Sequence, residues 1–273
     1  MQDIKEVAFK AAREAGAILM ERLGKIHIDY KSAFNLVTEA DKQSEQHVIS
    51  IIRQRFPDDQ ILAEETGAHQ TSSTRRWIID PLDGTTNYAH TYPFFSVSIG
   101  FEDKGEVLFG VVFNPSTDEL FWAEKGKGAY LNDRPIAVSA NSTLNVSLLA
   151  TGFPPDTRVA PVTNMDEFVH ITDISHGVRR DASAALDLSF VASGRLDGFW
   201  ELKLAPWDLA AGTLLVREAG GTITNALGGK FDMVEGSVVA TNSKIHDELV
   251  RELNLSAKLG KEHAGSVRSQ RKE

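Results

Sequence analysis

Apolar residues at Ile4, Val7, Ala8, Ala11, Ala12, Ala15, Ile18, Leu19 and Leu23 recur every three or four positions, which predicts a helix over residues 3–23 with one apolar face, ended by Gly24. A second helical stripe, with Val48, Ile49, Ile52 and Phe56 inward, runs from about Asp41 to Phe56 and stops at Pro57-Asp58-Asp59. Two short apolar runs follow, Ile61-Leu62-Ala63 and Trp77-Ile78-Ile79, each read as a buried strand. The first delivers Glu64 and Glu65 at its end, the second Asp80-Pro81-Leu82-Asp83-Gly84. From Phe95 to Val138 the pattern alternates and is broken at Asp103-Lys104-Gly105, Asn114-Pro115-Ser116 and Lys125-Gly126-Lys127-Gly128, which predicts an antiparallel meander. Beyond residue 145 the reading is a strand over 147–150, a helix over 182–193, a strand over 197–201 and a helix over 207–219 closed by Gly220-Gly221. Short strands near 222–224 and 237–241 and a helix near 245–253 complete it, and no repeat period is visible.

This succession implies a chain of the α+β or α/β class, with an antiparallel meander sheet followed by a second, mixed set of strands and helices. The change of style near residue 145 divides it into an N-terminal half, 1–145, and a C-terminal half, 146–255. Residues 256–273 hold five basic and two acidic side chains among few apolar ones, and read as a disordered tail. At 273 residues, with 42% hydrophobic and 25% charged side chains, the chain is long enough and apolar enough to bury a core, which excludes wholesale disorder. A net charge of −9 argues against tracking a nucleic-acid backbone and suits a site that gathers cations. With no cysteine, disulfides, thiolate metal sites and a cysteine nucleophile are excluded. The acidic N-terminus and the lack of a long apolar run lead us to expect a cytoplasmic protein with no membrane partner.

The chemistry sits where the acids fall. Glu64 and Glu65 end one apolar run, Asp80 and Asp83 another, and Asp208 opens a helix after Trp207. Taken singly they also fit loop, turn and helix-start positions. Together with Gly84-Thr85-Thr86, whose small side chains leave backbone amides open to a phosphate, they point to metal ions held by hard oxygen ligands. Thr38-Glu39-Ala40-Asp41 also matches a capping box at the start of the second helix, and Lys31 fits either a phosphate-neutralising or a solvated lysine. The histidines, His90 and His176 among them, show no paired-ligand spacing, and neither a G-x-S-x-G elbow nor a nucleotide loop is present.

The octet Asp80-Pro81-Leu82-Asp83-Gly84-Thr85-Thr86-Asn87 resembles the signature of the inositol monophosphatase family. Val37 to Asp41, Ala63 to Thr66, Trp207 to Gly212 and Glu218 to Gly221 fall in that family's order and at similar separations, so that the resemblance covers roughly residues 3–253. It implies a layered α-β-α-β-α sandwich with an antiparallel meander sheet and a second mixed sheet, and a magnesium-dependent, lithium-sensitive phosphatase of small phosphomonoesters, commonly a homodimer, with two to three Mg2+ ions per site. Carried onto this chain, it makes Glu64, Asp80, Asp83, Asp208, the Leu82 carbonyl and the Thr85 hydroxyl metal ligands. Thr85 linked to Asp41, with Glu64, would prepare the attacking water. The amides of Gly84 and Thr85 would hold phosphate oxygens, Asp83 and Asp208 would count among the substrate-binding residues beside the metals, and Glu201 and the backbone of Ala184 would touch the alcohol portion. Glu65 is read as supporting. The sequence departs from the family pattern at Ala182, where a glycine is usual, and a methyl there would narrow the pocket or shift a helix start.

Metals suit the reaction. Enzymes accelerate phosphate-monoester hydrolysis by up to ~10²¹-fold, whereas one acid or base supplies about 10²- to 10⁴-fold. The favoured function is hydrolysis of inositol 1-phosphate or a related sugar phosphate by metal-activated water. Two alternatives stay open, a fructose-1,6-bisphosphatase or dual-specificity sugar phosphatase, and a regulatory binding protein on the same fold.

Overall fold

The computed structural model describes residues 1–25, 28–32, 35–154 and 163–256, with the backbone alone for 28–32 and 35–38. The expectations for the 256–273 tail, apart from residue 256, and for the side chains of Lys31 and Thr38 therefore lie outside the described residues. In chain order the elements are α1 (Gln2–Arg22), β1 (Ile28–Ser32), β2 (Asn35–Thr38), α2 (Glu39–Arg55), β3 (Gln60–Ala63), β4 (Gly67–His69), β5 (Arg75–Asp83), α3 (Thr85–Ala89) and β6 (Ser96–Asp103). Next come β7 (Glu106–Asn114), β8 (Glu119–Glu124), β9 (Ala129–Leu131), β10 (Arg134–Ile136), β11 (Leu148–Thr151), α4 (Met165–Ile174), β12 (Gly177–Arg179) and α5 (Ala184–Ala192). The chain continues through β13 (Gly198–Glu201), α6 (Pro206–Glu218), β14 (Thr222–Thr224) and β15 (Val238–Thr241), then α7 over 246–256.

An eight-stranded sheet in the order β10-β9-β8-β7-β6-β5-β3-β4 contains the expected meander from β6 to β10, extended by β5, which pairs antiparallel to β6, and by β3, which pairs parallel to β5. A five-stranded mixed sheet has the order β12-β11-β13-β15-β14. The amphipathic helices α1 and α2 cover the outer face of the first sheet, burying Ala8, Ala11, Ala12, Leu19, Val48 and Ile52 against Trp77, Ile79, Ile99 and Phe109. The helices α5 and α6 fill the space between the sheets, and α4 and α7 cover the far face of the second around Ile171, Trp200, Val239 and Leu249. Five layers result, as the family resemblance implied. The middle layer lies close to the first sheet because Gly100 and Gly110 leave room for it. A Cβ on Gly100 would come within 2.8 Å of the Ala210 Cβ, and one on Gly110 within 2.8 Å of the Ala211 Cα. That close seating of α6 fixes where its first turn, with Asp208, arrives.

Elements that escape the periodicity include β1, β2 and β4, and also α4, β12 and α3. The helix α4 carries Met165 and Val169 exposed, so its apolar residues do not form a single inward stripe. The strand β12 is only three residues long, and α3 has five. No described helix is long and apolar enough to cross a membrane.

Candidate metal centre

Parallel pairing of β3 with β5 sets Ala63 beside Ile79, and the Glu64 amide donates to the Ile79 carbonyl at 3.2 Å, which brings Glu64 level with Asp80. In an unbroken strand Asp80 and Asp83, three positions apart, would point to opposite faces. A bulge removes that conflict: Asp80 pairs with Ser98 and Asp83 with Ser96, so β5 carries one extra residue between them. Pro81 sits inside the bulge, where its missing N–H is tolerated. The Leu82 amide donates to Asp80 Oδ1 at 3.0 Å and holds the turn. From the middle layer, the start of α6 is anchored by Ser98 Oγ, which donates to the Trp207 carbonyl at 3.3 Å. Asp208 arrives beside Asp80, its Oδ2 accepting the Ala205 amide at 2.7 Å. Carboxylate oxygens of Asp80, Asp83 and Asp208 all lie within 4.8 Å of one another. Glu64 stands outside that triad but faces it, since its charge acts on all three members.

These groups are costly as anions. Burial, then the charges of Glu64, Asp83 and Asp208, push Asp80 well above the usual carboxylate range. Burial lifts Asp83 to about 6, against the pull of hydrogen bonds from the Ser183 hydroxyl at 2.6 Å and the Ala185 amide at 2.8 Å. Asp208 is pushed up to about 8 by burial and by Asp83. A hard divalent cation relieves this: it supplies opposite charge and prefers the oxygen-only donors gathered here.

Thr85 follows Gly84, which adopts φ 95° and has no space for a side chain, since a Cβ would stand 2.9 Å from the Phe94 carbonyl. Thr85 Oγ1 lies 3.3 Å from Asp41 Oδ1 and 3.1 Å from the Leu82 carbonyl oxygen, and its single proton serves one of them at a time. The helix α2 thus presents Asp41, fully buried, to the octet, and Ser44 Oγ donates to the Pro81 carbonyl at 2.9 Å from the same face. The Leu82 carbonyl retains a second lone pair for a cation.

Several residues of the site were not singled out from sequence. Glu45, fully buried one turn after Asp41, accepts the Glu65 and Thr66 amides at 2.8 and 2.9 Å and so fixes the turn that carries Glu64. Its signal was present, as polar Asp41, Ser44 and Glu45 interrupt the apolar stripe of α2. Ser183 holds Asp83 across 100 residues, and Asn87 Nδ2 ties the Phe94 and Asp181 carbonyls at 2.7 Å each. Asp187 is buried in the first turn of α5, and its Oδ1 has no hydrogen-bond partner among the described residues. Burial raises it well above the usual range, helped by the charges of Asp181 and Glu201.

Beside the carboxylates opens a cleft of about 360 Å³, bordered by Glu64, Asp83, Ala182, Ala184, Glu201 and Asp208. Glu201 ends β13 in its wall and is pushed up to about 8 by burial and by the charges of Asp208 and Asp83. A larger groove of about 660 Å³, between Glu106, Arg217 and Phe231, contains none of these residues. Ala182 adopts φ 62°, the left-handed region where a glycine is at home. The helix α5 begins at Ala184, two residues after the expected start, with Ser183 at its N-cap. Ala182→Gly removes the steric cost of a Cβ there, about 1–2 kcal/mol, less the greater chain entropy of glycine. A net stabilisation of about 0.5–1 kcal/mol is expected, seen as a higher urea midpoint at unchanged slope.

The inositol monophosphatase family model matches residues 1–257. The chain is 47% identical to the inositol-1-monophosphatase of Synechocystis sp. over 256 residues, 93% of this chain and 89% of that protein. It is 40% identical to the Nus factor SuhB of Pseudomonas aeruginosa over 260 residues, 92% and 95% of the two chains. The solved structure of inositol monophosphatase from Anabaena (Nostoc) sp. superposes with a TM-score of 0.86 at 47% identity, covering 93% of this chain and 96% of that one. Matched over nearly its whole length in sequence and in fold, the chain belongs to the inositol monophosphatase family of metal-dependent phosphatases.

Proposed function

We propose that the protein hydrolyses inositol 1-phosphate or a closely related sugar phosphate, with two to three Mg2+ ions as cofactor. The observation that carries this reading is the convergence of Asp80, Asp83 and Asp208 within 4.8 Å at the head of a cleft bordered by Glu201. Glu64, Asp80, Asp83, Asp208, the Leu82 carbonyl and the Thr85 hydroxyl would hold the ions. When bound, the ions neutralise phosphate oxygens and make water a stronger acid. The chain's own residues do the rest. Asp41 accepts the Thr85 proton, which turns the Thr85 lone pairs toward the water that attacks phosphorus. The Gly84 and Thr85 amides hold phosphate oxygens, and Glu201 with the Ala184 backbone receives the alcohol, so that the ester lies in line for displacement. Lithium sensitivity, a homodimer and a cytoplasmic setting complete the reading, on the strength of the family resemblance.

A panel of esters tests it. With Mg2+, phosphate release is expected from inositol 1-phosphate, and a preference for fructose 1,6-bisphosphate would move the assignment to the alternative sugar phosphatase. Cations in the site would offset the Asp208 and Asp83 charges that raise Glu201, and Glu201→Gln then removes a charged hydrogen-bond acceptor, worth about 1.5–3 kcal/mol. The expected loss in kcat/KM is roughly ten- to a hundredfold on inositol 1-phosphate, with p-nitrophenyl phosphate spared. Equal losses on both would assign Glu201 to the metals or the fold. The second reading, a regulatory binding protein, draws support from the similarity to the relative named Nus factor SuhB. Absence of phosphate release from every sugar phosphate would favour it.

A further inference from the structure

Gly152, the residue after β11, is buried, and a Cβ built on it would lie 2.1 Å from Glu201 Oε2 and 2.3 Å from both Cδ and Oε1. Its backbone is not in the left-handed region, so its φ angle imposes no need for glycine. The three atoms nearest to the missing methyl are the Glu201 carboxylate itself. The register explains the encounter. The strands β11 and β13 run parallel with Ala150 opposite Phe199 and Thr151 opposite Trp200, so the chain leaves β11 at Gly152 level with Glu201.

A second observation shows that this juxtaposition is held. Asn164, fully buried, donates from Nδ2 to Thr151 Oγ1 at 2.5 Å and to the Gly152 carbonyl at 2.9 Å. Its Oδ1 accepts Trp200 Nε1 at 2.7 Å, and Thr151 Oγ1 donates to the Trp200 carbonyl at 2.6 Å. One side-chain amide thereby ties Gly152 and the residue before it to the residue before Glu201, with both of its protons and its oxygen engaged.

We infer that Gly152 is a specificity-determining position, whose missing side chain lets the Glu201 carboxylate lie where substrate hydroxyls arrive, in a strand register that the Asn164 hydrogen bonds hold. The inference rests on the reading of Glu201 as the group that meets the alcohol portion. A methyl at 152 displaces only the free end of a flexible side chain. The fold therefore tolerates it, whereas the carboxylate has to leave its place.

The test compares Gly152→Ala, Glu201→Gln and their combination in the full chain with Mg2+. Gly152→Ala is expected to lower the ratio of kcat/KM for inositol 1-phosphate over p-nitrophenyl phosphate about ten- to a hundredfold, mainly through KM, with the metal-free Tm moved by less than about 2 °C. The combination is expected to lose no more than either single variant, because both remove one contact. Loss of the ratio in Glu201→Gln but not in Gly152→Ala overturns the inference and leaves the Glu201 reading standing. No loss in Glu201→Gln removes the reading and the inference with it. Losses from Gly152→Ala that add fully to those of Glu201→Gln, or that fall equally on both esters, also overturn it. A Gly152→Ala chain that does not fold is compared with Gly152→Ala/Glu201→Ala, which removes the displaced atoms. Recovery of folding assigns the failure to the carboxylate and supports the inference, and continued failure overturns it.

Discussion

Asp208→Asn is expected to lower turnover by about three orders of magnitude at saturating Mg2+, while the metal-free protein stays folded and is as stable as the parent or more so. On the proposed reading, the activity loss follows from removing one ligand charge from a centre whose cations would supply several kcal/mol of transition-state stabilisation. The stability gain follows from the repulsion within the triad, which one neutral side chain relieves, and it appears as pH approaches and passes about 8, where Asp208 would otherwise give up its proton. Asn is the informative replacement because Asp208 Oδ2 accepts the Ala205 amide at the start of α6, and the Asn oxygen keeps that bond. Asp208→Ala removes the cap as well and is expected to cost about 1 kcal/mol by comparison. Asp83→Asn behaves in the same way, retaining an acceptor for Ser183 and Ala185. Steady-state kinetics and thermal unfolding in chelator check both halves. Near-normal turnover of either Asn variant would remove that residue from the metal set.

Stripping the metal is expected to abolish turnover and to leave a protein whose stability falls as pH rises. Asp83 and Asp208 keep their protons up to about 6 and about 8 in the folded metal-free chain, whereas unfolded aspartates release theirs near 4. Between these values the folded state binds more protons than the unfolded one, so the unfolding free energy declines with increasing pH. The stabilisation is fully present below about pH 4 and lost as pH passes through 6 to 8. Added Mg2+ opposes the loss, because it binds only the folded arrangement. At a hundredfold excess over Kd each site contributes about 2.7 kcal/mol, on the order of 5–10 °C in Tm. The shift is larger at pH 8 than at pH 5, where protons compete for the same oxygens. Calorimetric scans at the two pH values, with EDTA and with Mg2+, measure it. A Tm that ignores Mg2+ at pH 8, or full turnover in EDTA after dialysis, would count against the centre.

Most helices and strands were legible because their determinants are local, while the layering followed from the family resemblance. The stripes of α1 and α2, the alternation from Phe95 to Val138 and the glycine stops each act within a turn or a hairpin, so burial of one face is written at fixed spacing. The acids at strand ends and the octet Asp80 to Asn87 were likewise readable as residue types in order. What periodicity could not yield is how those acids meet. Asp80 and Asp83 share a side only because of the bulge at Pro81-Leu82, and Glu64 stands beside Asp80 only through the parallel register of β3 with β5. Thr85 reaches Asp41 across 44 residues and Asp83 reaches Ser183 across 100. Glu45 and Asn164 act through backbone groups just past the ends of β3 and β11. The chain order determined which side chains are available and the faces of the helices that carry them. Only the tertiary structure decided which carboxylates converge and how far burial raises their cost as anions, because both depend on strand register and on the exclusion of water by residues far apart in sequence.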